Sequence, residues 1–94
     1  MGKSVRFVPT ACLTVDTVSS DLNRFLALIH ANPEAVISFD LEHVSQCDTA
    51  GLALLIEAKR LCVLQHSTLE IQNMPDETLK LATFCGVERL FLGA

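Results

Sequence analysis

Tryptophan and tyrosine are absent from this 94-residue chain, and its five aromatic residues are all phenylalanine. Stacking of single-stranded bases on aromatic platforms is therefore poorly supplied. Positive charge is also scarce: seven Lys and Arg stand against eleven Asp and Glu, for a net charge of −4 without a basic run. That balance excludes electrostatic grip on a phosphate backbone, and no nucleic-acid partner is expected. Long apolar runs are missing too. Asp16, Asp21, Arg24, Glu34, Asp40, Asp48, Glu57 and Lys59 keep interrupting the hydrophobic residues, so nothing approaches the roughly 18 apolar residues of a bilayer span, and no direct membrane insertion is expected. No apolar stretch follows a basic start, which reads as no signal peptide and a cytoplasmic location. The four cysteines, Cys12, Cys47, Cys62 and Cys85, form no CxxC pair, a pattern of reduced, buried thiols and not of a disulfide framework.

What remains is strongly apolar. Half of the residues are hydrophobic and the mean hydropathy is +0.40. Residues 1–94 read as a single domain with one core, in which both faces of a sheet are covered or some apolar surface meets a partner. No linker, repeat or low-complexity segment divides it.

Two short apolar runs, Val5 to Val8 and Ala11 to Val15, flank Pro9-Thr10 and are expected to pair as a hairpin. Asp16-Thr17 starts a helix whose Val18, Leu22, Phe25, Leu26 and Ile29 recur at helical spacing until Asn32-Pro33. Val36 to Leu41 is a β-branched and aromatic strand, Ala50 to Leu64 a Leu- and Ala-rich helix without proline, and Thr68 to Gln72 a further strand. Asn73-Met74-Pro75-Asp76 opens a third helix that ends near Cys85, with Gly86 suited to its C-terminal cap. The tail Val87 to Leu92 adds a short strand or turn. The order is ββαβαβα, an α/β fold with a mixed β-sheet packed with helices.

The run Cys47-Asp48-Thr49-Ala50-Gly51-Leu52-Ala53-Leu54-Leu55 joins strand to second helix through a polar turn. Asp48 or Thr49 can cap the helix by accepting a backbone N–H, worth about 1 kcal/mol. Helical periodicity puts Gly51, Leu54, Leu55, Ala58, Leu61 and Cys62 on one core arc. Leu52, Ile56 and Val63 fall on another side beside Lys59, with Ala53, Glu57, Arg60 and Leu64 farther round, an outward surface more apolar than solvation requires. Either the rest of the domain or a partner protein covers it. Thr49 presents a hydroxyl where free N–H groups and the helix dipole favour an anion, so it fits a phosphorylation site, an interface donor or a plain cap.

Other chemistries are weaker in the pattern. Cys47 beside Asp48, with His43 four residues earlier, has the types of a nucleophile and base but lacks a third orienting group. Cys62 and His66 share an i, i+4 spacing without two further metal ligands. Gly2-Lys3-Ser4 copies the end of a phosphate-binding loop without its upstream glycine and strand. His30 and His43 read as surface or loop residues. No catalytic residue, cofactor or metal is expected.

Asp48-Thr49-Ala50-Gly51-Leu52-Ala53-Leu54-Leu55 resembles the strand-turn-helix of the STAS domain family, named for sulfate transporters and anti-sigma factor antagonists. The likeness is sharpest over Val36 to His66, and the element order extends it to Gly86-Val87-Glu88-Arg89-Leu90-Phe91. Within the family it looks most like the short stand-alone members that serve a phospholipid ABC transporter. The resemblance implies a non-catalytic cytoplasmic subunit, peripheral at the inner membrane, that binds the transporter's ATPase subunit. It supports assembly and activity in maintaining outer-membrane lipid asymmetry. Asp48, Thr49, Ala50, Leu52, Ile56, Lys59 and Arg60 would contribute the partner-binding or regulatory surface, and the isolated domain could form a homodimer through its apolar face. The other branch of the resemblance implies an anti-sigma factor antagonist-type partner switch phosphorylated at Thr49. Two differences stand out: Thr14-Val15-Asp16 replaces the Gly-Glu-Leu common near the second strand, and Thr49 stands where antagonists more often carry Ser. ATP or GTP binding, proposed for some STAS proteins, has no counterpart in these residues.

Overall fold

The computed structural model describes residues 3–90. Its elements are β1 (Ser4–Phe7), β2 (Cys12–Leu13), α1 (Val18–Ala31), β3 (Val36–Asp40), β4 (Gln46–Cys47), α2 (Thr49–Leu64), β5 (Thr68–Gln72), α3 (Asp76–Phe84) and a closing 3-10 turn, Glu88–Leu90. The α/β class and the helix positions agree with the sequence pattern. Phe91 and Leu92, the end of the expected tail element, and Gly2 of the loop-like tripeptide lie outside the described residues.

The strands form a three-stranded sheet in the order β1-β3-β5 and a two-stranded ribbon of β2 and β4. Every pairing among the described residues is parallel. Right-handed crossovers that step in one direction place their helices on the same face. Accordingly Phe7, Ile37 and Phe39 point into the core, whereas Ser4, Arg6, Thr68, Glu70 and Gln72 on the outward rows stay exposed. Phe25 of α1 closes the core over the sheet, with its ring 5.3 Å from Phe7 in a T-shaped contact and 5.5 Å from Phe39.

The expected hairpin does not form. β2 pairs with β4, aligning Leu13 with Cys47, and β1 pairs with β3. The cause lies in the connection. The fully buried Asp21 carboxylate accepts the Thr10 hydroxyl at 2.7 Å and the Thr10 N–H at 3.2 Å, drawing the chain after Pro9 toward α1. Arg24 pairs with the same carboxylate at 2.9 Å, donates to the Val8 carbonyl and lies 5.0 Å above the Phe7 ring. A buried carboxylate held by a cation and two further donors is tolerated, and here it sets the path of the chain.

Helices α2 and α3 end in the same way. The N–H groups of His66 and Ser67 donate to the carbonyls of Val63 and Cys62, and those of Gly86 and Val87 to Thr83 and Ala82, a paired capping pattern whose central residue is left-handed. Gly86 takes that role at φ 77° and His66 at φ 56°; only the histidine has a Cβ to strain there.

A second polar cluster ties the strand ends. Asp40, 4% exposed, accepts Arg6 Nε at 3.0 Å and Arg6 Nη2, Asn73 Nδ2 at 2.9 Å, and the Glu42 N–H at 2.9 Å. Asn73 holds its backbone at φ 57° to reach it. The Asn73 hydrogen bond, then Arg6 and the Glu42 N–H, lower the Asp40 carboxyl from 3.8 to about 2. A carboxyl lowered in the folded state stabilises fully above its unfolded pKa, and the benefit disappears as pH falls through the folded value. Asp40→Asn is expected to destabilise the domain by an amount constant above about pH 5 and shrinking between pH 4 and pH 2. Urea denaturation of both proteins across that range measures it, and a pH-independent difference would contradict the assignment.

Candidate functional site

The first turn of α2 rests directly on β2. An added Cβ on Gly51 would stand 2.3 Å from the Leu13 carbonyl oxygen and 2.8 Å from both Cys47 Sγ and Leu13 Cβ. Glycine is therefore required by close approach of the helix to the ribbon backbone. The turn is fastened by Asp48, whose Oδ1 accepts the Gly51 N–H at 3.1 Å and whose Oδ2 accepts the Val15 N–H at 3.3 Å. Its own N–H donates to Leu13 O at 3.1 Å. Asp48 thus caps α2 and holds the loop that enters α1.

Because Asp48 supplies the cap, the Thr49 side chain is left exposed at the first helical position and makes no hydrogen bond among the described residues. Beside it, α1 and α2 form an apolar groove of about 270 Å³ lined by Val18, Ser19, Leu22, Ala50, Ala53, Leu54 and Glu57. Val15, 70% exposed, precedes α1 in the loop that Asp48 holds. Reading Ala11 to Val15 as one strand concealed that exposure, because β2 ends at Leu13. Glu57 binds Arg60 with both carboxylate oxygens, at 2.8 and 2.6 Å, on the groove's far shoulder.

The expected surface is only partly assembled. Asp48, Thr49 and Arg60 are exposed, Ala50 is half-buried in the groove, and Ile56 and Lys59 are half-buried on the other flank. Leu52 is a correction: it is 3% exposed and belongs to the core. Helix α2 packs against α1, α3, β2, β4 and β5, so burial spreads beyond the single arc that periodicity assigns to a surface helix. Conversely, Leu61 of the expected core arc is half-buried, and Val63 and Leu64 are exposed.

The cysteine readings fare differently. Burial, reinforced by the Asp48 charge, pushes the Cys47 thiol up against the opposing hydrogen bond of Thr78, the reverse of what a nucleophile needs. Cys62 is buried and pushed up to about 11 by desolvation. Its i, i+4 neighbour His66 is exposed, and no cluster of three or more potential metal ligands occurs among the described residues. All four cysteines are free, but Cys85 is exposed and Cys12 and Cys47 are half-buried, so only Cys62 matches the expectation of buried thiols.

The fold has a solved counterpart. The crystal structure of a sulfate transporter family protein from Wolinella succinogenes superposes with a TM-score of 0.71 at 14% identity, covering 92% of this chain and 69% of that one. No curated protein matches by sequence. The chain belongs to the STAS domain family: the family model described as "Mlab, STAS domain" matches residues 12–93. That span begins at β2 and includes the whole Asp48–Gly51 turn and both walls of the groove.

Gly51→Ala is expected to lower unfolding free energy by roughly 1–3 kcal/mol through overpacking against Leu13. Chemical denaturation provides the check; a change below about 0.5 kcal/mol would mean that the helix does not need this approach.

Proposed function

We propose that this protein is a non-catalytic cytoplasmic subunit that binds the ATPase of a phospholipid ABC transporter and supports its assembly and activity in maintaining outer-membrane lipid asymmetry. The observation that carries the reading is the free Thr49 hydroxyl beside an apolar groove whose floor is Val18, Leu22, Ala50, Ala53 and Leu54. A protein surface with a small apolar core and a polar donor at its margin is suited to docking. Membership in the family branch described as Mlab supports the same assignment. Among the described residues no helix is long and apolar enough to cross a membrane, so on this reading the protein reaches the inner membrane through its partner. The contact set is Thr49, Ala50 and Ala53 with Asp48 as their fastening; Ile56, Lys59 and Arg60 lie at its edges, and Leu52 supports the helix from within.

A second reading, a partner switch phosphorylated at Thr49, is favoured by the accessibility of that hydroxyl and its freedom from capping. One experiment separates the two. Co-expression with the ATPase subunit of a phospholipid ABC transporter from the same organism should yield a stable complex, and Thr49→Arg should weaken it at least about tenfold while thermal unfolding stays unchanged. Absence of a complex overturns the transporter reading. Incubation with a cognate serine/threonine kinase followed by mass spectrometry tests the switch, which fails if Thr49 acquires no phosphate.

A further inference from the structure

The three-stranded sheet ends on a strand with one free side. Among the described residues β5 pairs with β3 alone. Thr68 donates its N–H to Ala35 O, and Gln72 O accepts the Leu41 N–H. Backbone groups alternate sides along a strand, so Thr68, Glu70 and Gln72 are directed at β3. The N–H and C=O groups of Leu69 and Ile71 are directed away from the sheet, without a protein partner among the described residues. The side chains add a second pattern. Leu69 and Ile71 lie on the helix side, in register with the fully buried Ile37 and Phe39, yet stay half-buried at the sheet's margin. Glu70 is exposed on the opposite side and makes no ion pair or side-chain hydrogen bond among the described residues. Arg6, the cation in its row across Ser38, is held by Asp40.

We infer that the free edge of β5 receives an extended segment of a partner protein, in which Lys or Arg stands opposite Glu70 between apolar residues opposite Leu69 and Ile71. Outward backbone donors and acceptors at strand spacing are satisfied by another strand, which fixes the conformation of the occupant. Residues directly across a ladder share a face. The cation therefore meets Glu70 on the outward face, while its apolar neighbours continue the core past Leu69 and Ile71. A second copy of this chain is disfavoured. Antiparallel pairing of all five β5 residues with themselves sets Glu70 against the same residue of the other copy, like charges directly opposite. Glu70 thus guards the edge against self-association and selects the complementary charge. The other edge, β1, lacks these features, since Arg6 is committed to Asp40 and Phe7 is already buried. The inference is independent of the ATPase reading, because β5 contributes neither to the α1–α2 groove nor to the Thr49 turn.

Two heptapeptides serve as probes: Ser-Thr-Val-Lys-Val-Thr-Ser and the same peptide with Glu in place of Lys. Titrated into the full chain and followed by nuclear magnetic resonance, the Lys peptide is expected to move the Leu69, Glu70 and Ile71 amide resonances. It should bind roughly two- to fivefold more tightly than the Glu peptide, and Glu70→Lys should reverse that preference, with the Thr49 and Ala53 resonances left in place. No movement at β5, or equal movement by both peptides, overturns the inference. A dimer whose dissociation on dilution moves the same resonances also overturns it, by giving the edge to a second copy. Each of these results leaves the ATPase reading untouched.

Discussion

A hydrogen atom in place of a side chain at Gly51 lets α2 sit against the backbone of β2, and the candidate site is built outward from that approach. The Leu13 carbonyl lies within reach of the helix start and accepts the Asp48 N–H. Asp48 then serves two N–H groups at once, one in the helix and one in the loop before α1. With the cap supplied by its neighbour, Thr49 is free of structural duty, and the two helices lie close enough to share an apolar groove.

The two buried carboxylates divide the remaining work. Asp21 turns the β1–β2 connection away from the sheet and toward α1, which leaves β2 to pair with β4 under the site. Asp40 gathers Arg6, Glu42 and Asn73 from three successive parts of the sheet's end. Each is satisfied by several donors, the condition under which a buried charge specifies a path without destabilising the core. Function on this plan belongs to a rigid platform: the groove walls are helices, and the hydroxyl is placed by a capped first turn.

Helical spacing located α1, α2 and α3 within a few residues because each has an identifiable start and stop: Thr17 before α1, Asp48 before α2, Pro75 before α3 and Gly86 after it. The strand-turn-helix around Thr49 was legible for the same reason, as polar capping residues and a glycine lay between two apolar runs. Leu52 was misplaced because periodicity sees one helix at a time. It cannot report that α2 has neighbours on both flanks, and a residue about 60° beyond the edge of the core arc is buried when a second element covers it. The hairpin expectation failed similarly: two adjacent apolar runs look alike whether they pair with each other or with distant strands, and it is the Asp21 bonds to Thr10 and the pairing of β2 with the distant β4 that separate the cases.

By itself the sequence determined the α/β class, the helices and the capped turn, with either Asp48 or Thr49 as its cap, since these follow from local propensity and from hydrogen bonds spanning few residues. Tertiary structure alone decided that β2 joins β4, that Leu52 belongs to the core, and that α1 supplies the second wall of the groove. Those facts depend on contacts between segments more than 30 residues apart, such as Val15 with Asp48. No local pattern encodes which distant backbone group a side chain will meet.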